Sequence, residues 1–377
     1  MRERIFYICV IVLSIAFLFI GNRIATSDLY QLEEYYQLNF YNGVVTEILE
    51  RNEEVIWDTR SVEVIFETRL TSGGRRGEII VAEQMVADFF LVNEREVSVG
   101  DRVVVLDAPW DNTFYFSDFN RINYIAVIGI VFFALIILFA KMKGFNAIIA
   151  LGFTCLAIFW IFIPAILAGK NIYVTTIIIC VYAIISTLLI VIGPSKKALS
   201  AMLGCLGGVI IAGILMLTLD SFLQLTGGVD RDTEFLLLLH PEDPINLRAI
   251  IFAGVILGAV GAIMDVAMSI SSSLWELKET GGVSDFSSIL KSGINIGKDI
   301  LGTMLNTLIL AYIGSSLSLI LLLNANTTDL IALLNREMII VEFLRALVGS
   351  FGMLLTIPLT AGICGWLYTN AFGAVEE

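Results

Sequence analysis

The sequence predicts an α-helical polytopic membrane bundle of about eight transmembrane helices, with a small extracytoplasmic all-β domain between helices 1 and 2. Three observations predict it. Apolar runs of roughly 20 residues, enough to cross about 30 Å of hydrocarbon, recur along the chain. The 377 residues are 57% hydrophobic and 16% charged, with a mean hydropathy of +0.86, unlike an ordinary soluble domain. Residues 26–121 break the pattern, being polar, acidic and alternating with period two.

The chain opens "MRERIFYICVIVLSIAFLFIGNR". Two arginines precede about 16 apolar residues, and no small-x-small cleavage site follows. Residues 1–25 are therefore expected to be a retained signal anchor rather than a cleaved signal peptide. Residues 26–121 carry arginine but no lysine. Period-2 segments at 43–49, 61–70, 77–86 and 100–109 are broken by "TSGGRRG" and "VSVGD". That pattern predicts four to six short strands in a small β-barrel or sandwich. Its acidic surplus fits either a solvated surface or a vestibule that collects cations.

Residues 122–377 are expected to form a seven-helix transmembrane domain, with spans at 123–141, 145–168, 172–192, 197–219, 248–275, 300–323 and 338–371. Pro358 predicts a break in the last of them. Arg2, Arg4, "KMK", "SKK", Lys278, Lys291 and Lys298 fall on one side of the membrane. Only Lys170, Arg231, Arg248 and Arg336 occupy the short loops opposite. The positive-inside bias then puts both termini in the cytoplasm and the β domain outside. In the 220–248 loop, "TEFLLLLHPEDP" predicts an interfacial helix that stops before Pro241. In "GGVSDFSSILKSGINIGKD", Ser284 is a candidate N-cap, and Phe286, Ile289, Leu290 and Ile294 follow at helical spacing. This amphipathic helix either floats at the inner surface or docks a cytoplasmic partner.

Several function classes are excluded. A net charge of −13 does not suit nucleic acid. Cys9, Cys155, Cys180, Cys205 and Cys364 lie in apolar runs without metal-ligand spacing, and His240 is the one histidine. "GGRRGE" lacks the lysine-hydroxyl ending of a phosphate-binding loop, and no serine-elbow or zinc-protease motif occurs. No cofactor, metal site or enzymatic activity is expected.

The candidate site begins in "FAGVILGAVGAIMDVAMSISSSLWELKE", residues 252–279. At 100° per residue, Gly254, Gly258, Gly261, Asp265, Ser269, Ser272 and Glu276 share an arc of roughly 80°. Ile256, Val260, Ile263, Ala267, Ile270 and Leu274 lie opposite. Glycines of this kind permit close helix packing. A charge at the bilayer centre costs about 2.5–3.5 kcal/mol, so Asp265 is expected to face protein or water. At 1.5 Å per residue Asp265, Asn306 and Thr356 reach similar depth, with Thr360 one turn beyond. They are expected to converge, with Ser269, on an ion- or substrate-binding site in the last three spans. A hydrogen-bonded packing knot is the other outcome, and it is the one favoured for Ser269, Ser271, Ser272 and Ser273. Glu342 and Arg345, three apart on one helix face, form either a structural ion pair or a gating pair.

At "GAIMDVAMSISSSLWELKE", "SGINIGKDILGTMLNTLILAYIGSSL" and "VEFLRALVGSFGMLLTIPLTA" the chain resembles the YibE/F-like family of bacterial multi-pass membrane proteins. The β domain ahead of the bundle looks like the YibE-type member. The resemblance implies a bacterial cytoplasmic-membrane location and, as a partner, a shorter membrane subunit of the same family. From the residues, the expected function is an ion-coupled secondary transporter or permease for a small solute or ion, embedded in the lipid bilayer. The alternative is a non-catalytic subunit whose β domain and inner amphipathic loop bind partner proteins.

Overall fold

The structure is a computed structural model describing residues 2–27, 39–56, 59–87, 95–108, 113–229, 233, 236–237, 244–281, 285–326 and 329–369. The chain divides into two compact units, Tyr30–Leu138 and Met1–Leu29 with Phe139–Glu377.

The first unit contains five strands: β1 (Asn39–Ile56), β2 (Thr59–Leu70), β3 (Ile79–Ala87), β4 (Arg102–Ala108) and β5 (Thr113–Phe119). They close a barrel in the order β1-β2-β3-β5-β4. All pairings are antiparallel except β3 with β5, which meet in parallel at Ala82–Phe114 and Glu83–Tyr115. This is the strand order of a five-stranded Greek-key barrel of the OB type. It decides between the barrel and sandwich expected from the alternation. Inward positions are Val62, Val64, Phe66 and Leu70 on β2, with Val103, Val105 and Phe114 across the core. β1 pairs with both β2 and β4, and register shifts at Val45/Glu47 and Ile48/Glu50 let it bend between them. Gly43 sits at that junction, where a Cβ would lie 2.6 Å from Thr68 Oγ1. Gln84 is buried and ties residues 95–97 to β3, donating to the Arg95 carbonyl and accepting from Val97 N–H.

Several of the barrel's charges are paired on its surface. Arg51 bonds Glu96 and Glu53, and Arg95 bonds Asp101. Arg75 reaches Glu78 and Asp107 and lies 5.1 Å from the Phe114 ring centroid. The Arg75 guanidinium holds the Glu78 carboxyl below its ordinary range.

The helices are α1 (Arg2–Ala25), α2 (Ile122–Ala157), α3 (Ile163–Leu167), α4 (Ile172–Val191) and α5 (Lys196–Leu223). They continue with α6 (Leu247–Glu279), α7 (Phe286–Ser315), α8 (Leu317–Asn326), α9 (Leu330–Leu334) and α10 (Glu337–Thr369). Among the described residues, seven helical segments are long and apolar enough to cross a membrane. One of them, Ile122–Leu167, has 46 residues and breaks at Lys141, where φ is 50° and ψ −126°. The sequence separates two spans, 123–141 and 145–168, at that point. A π-helical turn, Ile158–Phe162, joins α2 to α3. Side-chain caps start five helices among the described residues: Asn171, Ser195, Asn246 and Asp285 each accept from the N–H three residues on, and Asp329 from the N–H two residues on.

α1 is packed into the bundle. Leu18 and Ala25 share a cluster with Ala157, Ile161, Phe162 and Ala165. Phe17 stacks on Tyr182 with ring centroids 4.1 Å apart, and Asn22 Nδ2 donates to the Trp160 carbonyl at 2.6 Å.

α10 is the central helix of the bundle. Towards α5 it presents Thr356 and Thr360, which fill the space over Gly208 and Gly204. Towards α7 it presents Ile357, Ala361 and Gly365, facing Gly297, Gly293 and Phe286. Both neighbours use glycines four residues apart to let the backbones approach. Towards α6, Gly352 accommodates Ile263.

Two expectations are corrected here. Pro358 does not break the last span: α10 runs unbroken from Glu337 to Thr369. Pro358 has no N–H for the Leu354 carbonyl, yet tight seating against α5 and α7 on both sides holds the backbone helical. The inner amphipathic segment is not a separate surface helix either. It is the first half of α7, and Ile289, Gly293 and Gly297 bury it. The candidate cap Ser284 lies outside the described residues, and Asp285 caps the helix, accepting from Ser288 N–H at 3.0 Å. The 300–323 span is interrupted at Ser316, where α7 ends and α8 begins. Of the predicted interfacial helix, Thr233, Leu236 and Leu237 are helical, while His240 and Pro241 lie outside the described residues.

Candidate functional site

α6 is two-faced, as its periodicity predicts, but it is seated the opposite way round. Ile256, Val260, Ile263, Ala267, Ile270 and Leu274 are buried, none more than 5% exposed. Gly254, Gly258, Gly261, Asp265 and Glu276 are exposed, and Ser269 and Ser272 are half-buried. The apolar side packs inward because α5 and α10 supply the holes for its branched side chains. Ile263 reaches both Gly208 and Gly352. The predicted packing glycines are not the ones used. A Cβ on Gly254 or Gly261 would meet nothing within 4 Å, and one on Gly258 would meet only Tyr312 Oη, at 3.1 Å.

The expected four-residue convergence is divided by this seating. Thr356 and Thr360 are fully buried on the α5 side of α10. Thr356 Oγ1 donates to the Gly352 carbonyl at 2.7 Å. Ile263, which touches the same Gly208, lies 200° around α6 from Asp265. The two threonines are therefore packing residues behind α6, and Asp265 faces away from them.

Asp265 and Asn306 stand on the exposed sides of neighbouring helices, about one turn apart in height. α6 and α7 run antiparallel, with Gly258 beside Tyr312 and Leu274 beside Gly293. Ala259 and Leu308 also meet at Gly349, so Asp265 stands level with about residue 302, and Asn306 lies about 6 Å further along α7 at 1.5 Å per residue. Asn306 is exposed, as are Gly302, Thr303, Thr307, Gly314 and Ser315 on the same helix. Thr303, Thr307 and Ser315 hydroxyls donate to carbonyls of their own helix. Among the described residues neither Asp265 nor Asn306 has a hydrogen-bond or ion-pair partner.

Glu342 and Arg345 are paired on α10 through Glu342 Oε1 and Arg345 Nη1. The second carboxylate oxygen of Glu342 is buried without a partner among the described residues.

Two polar clusters carry no obvious sequence signal. Ser200 of α5, Ser271 of α6 and Tyr368 of α10 bond one another at 2.7, 2.9 and 3.0 Å, and Ser271 Oγ also donates to the Lys197 carbonyl. Lys278 Nζ caps the arrangement, donating to the Tyr368 carbonyl at 2.6 Å. This is the packing knot favoured for Ser271, but its partners come from helices distant in sequence. At the opposite end of the bundle, Glu337 accepts from Thr226 N–H, Thr226 Oγ1 and Gly227 N–H. That clamp holds a turn in which Gly227 has φ +96°.

Chemically, the open side offers the Asp265 carboxylate within the span and Glu276 near its end, each able to take a proton or cation, and the Asn306 amide, able to donate or accept. The buried knot brings together three hydroxyls, with the Cys364 thiol beside them and the Lys278 amine at its edge. Among the described residues no group of three His, Cys, Asp or Glu side chains is placed to hold a metal ion.

The apolar helices and the uncovered polar stripe define a multi-pass membrane protein carrying a small β-barrel unit. Residues 128–370 match the family described as YibE/F-like protein, and the chain belongs to that family. The matched region starts within α2 and covers the bundle, not the barrel. No curated protein and no solved structure matches the chain.

Proposed function

We propose that the chain is an ion-coupled permease of the cytoplasmic membrane, with its polar path along the uncovered stripe of α6 and Asp265 at its centre. The observation that carries this reading is the seating of α6. A long apolar helix buries its apolar side and leaves Asp265 open, unpaired and about 27 Å from the Leu247 end. An ionisable group at that depth is costly and marks ion or substrate paths by default. Ser269 and Asn306, each about one turn away in height, are its candidate partners. Thr356 and Thr360 take no part in the path. Glu342 and Arg345 are a structural pair that fixes the outer part of α10.

In this reading the Ile122–Leu167 segment crosses twice, giving eight crossings with both termini cytoplasmic and the barrel outside. Its 46 residues would extend about 69 Å as one helix, about twice the hydrocarbon thickness. The lysine-rich loops support the orientation. With no nucleotide-binding motif in this sequence, the energy source in this reading is an ion gradient or a separate subunit.

The test is flux in reconstituted vesicles under an imposed proton or sodium gradient. Asp265→Asn is expected to abolish ion-coupled flux while leaving the fold intact. Flux that survives this substitution with unchanged ion dependence overturns the role of Asp265.

The alternative, a non-catalytic assembly subunit, draws on the β domain and on the outer side of the inner segment, where Lys291, Asn295 and Lys298 are exposed. The apolar side of that segment is packed on α10 through Ile289, Gly293 and Gly297.

A further inference from the structure

The first half of α7 carries a polar face of its own. Lys291, Asn295 and Lys298 follow at spacings of four and three, within an arc of about 60°. All three are exposed, and among the described residues none has a hydrogen-bond or ion-pair partner. The opposite side of the same turns is fixed to α10. Phe286 packs over Gly365, Gly293 faces Ala361, and Gly297 faces Ile357. The polar face therefore cannot turn inward, and its partners come from the surroundings. Asp299, also exposed, lies about 80° round from Lys291.

Depth says what those surroundings are. On α6 the exposed charges Arg248 and Glu276 are about 42 Å apart at 1.5 Å per residue, the thickness of a bilayer with its headgroups. Leu274 meets Gly293, and Ala259 and Leu308 meet at Gly349. Counted from those contacts, Lys291 stands level with Glu276, and Lys298 with Ser269, about 10 Å deeper. Side chains lean towards the N-terminus of their helix, which on α7 is the Lys291 end. Lys298 and Asn295 thus lean out of the hydrocarbon, and the flexible lysine stem carries its ammonium the rest of the way. Three donors, two of them charged, meet in the headgroup layer.

We propose that Lys291, Asn295 and Lys298 bind the phosphate of an anionic phospholipid headgroup. The lysines supply the charge, and the Asn295 amide between them supplies a directed donor. A cytoplasmic protein, the occupant that an assembly subunit would need here, has to enter the headgroup layer to reach Lys298. The lipid is there already. Asp265, level with about residue 302, lies outside the site, so the assignment does not depend on an ion path.

The experiment is native mass spectrometry of the full chain in mild detergent, titrated with phosphatidylglycerol or phosphatidylcholine. Tighter retention of phosphatidylglycerol is expected. Lys291→Gln with Lys298→Gln is expected to weaken it about 30-fold, the worth of two lysines at an anionic surface, with unchanged helical circular dichroism. Lys291→Arg with Lys298→Arg is expected to keep it. Asn295→Ala, which changes no charge, is expected to give a smaller loss. Retention that phosphatidylcholine matches overturns the proposal. So does a loss that ignores Asn295→Ala and is equalled by Lys141→Gln with Lys143→Gln, because that is diffuse attraction without a site. Inorganic phosphate that binds the delipidated chain as tightly as the lipid does would assign the face to a free phosphate, and a protein that occupies it and excludes the lipid would assign it to assembly. Either result overturns the lipid.

Discussion

Ile263 and Asp265 are two residues apart on α6 and point to opposite sides of it. Ile263 is fully buried between Gly208 and Gly352, and Asp265 is open. Packing and the proposed ion site therefore separate on this helix. Ile263→Ala removes a side chain that fills both glycine holes and is expected to cost about 2–5 kcal/mol. Asp265→Leu removes an unpaired carboxylate and is expected to leave the melting temperature of the detergent-solubilised monomer unchanged or raised. Thermal unfolding of the two variants side by side checks this. A large loss at Asp265 would mean that its own chain uses the carboxylate for packing.

The seat of Thr356 over Gly208 leads to a coupled prediction. A Cβ on Gly208 would run into Thr356 Oγ1. Gly208→Ala is expected to destabilise the bundle by about 1–3 kcal/mol, as overpacking does. Thr356→Ala in the same chain removes the obstructing oxygen and forfeits only a bond to the helix's own Gly352 carbonyl. The double variant is expected to recover most of the loss, a coupling that equilibrium unfolding in mild detergent measures.

Much of this was legible in the sequence, with a characteristic exception. Alternation located β2, β3 and β4 because one barrel face is buried at every second residue. It did not single out β5, where Phe114, Tyr115 and Phe116 run together without a polar alternate. On α6 the 3.6-residue period correctly grouped Asp265 with the glycines. The wheel gives an azimuth but no sign. The assumption that polar residues face inward holds only if the chain covers its own polar face. Here the deciding fit was between Ile263 and glycines about 55 and 90 residues away in sequence. Pro358 was misread for a related reason. Its local effect is a lost hydrogen bond, and the threonine and glycine contacts that outweigh it are tertiary.

The Ser200–Ser271–Tyr368 knot joins the ends of α5, α6 and α10 where the rest of the contact is apolar. Tyr368 is 4% exposed and both serines are fully buried. Tyr368→Phe keeps the ring against Trp275, whose centroid is 5.1 Å away, and removes only the hydroxyl. The serines then lose a partner they cannot replace with water, at an expected cost of about 1–3 kcal/mol. Hydrogen exchange checks the locality: protection is expected to fall around Lys197–Ala201 and Ile270–Leu274 and to stay unchanged at Gly349–Met353.

Asp285 gives the start of α7 a pH dependence whose sign is fixed. Its carboxylate accepts from Ser288 N–H, and bonds from Ser288 hold its pKa below the ordinary value. A group with a depressed folded pKa adds stability above its unfolded value, about 3.9, and loses it as pH falls through the folded one. Protection of the Phe286–Ile289 amides, corrected for intrinsic exchange, is therefore expected to be flat from neutrality to about pH 5 and to decline below about pH 4. Asp285→Asn keeps a capping oxygen that does not titrate, so the decline should disappear while most of the protection remains. Asp285→Ala should fray the turn at every pH. Because Phe286 packs over Gly365 and Ile289 is buried, that fraying would also loosen the contact between α7 and α10. A pH profile in Asp285→Asn identical to that of the natural chain would assign the titration to another group.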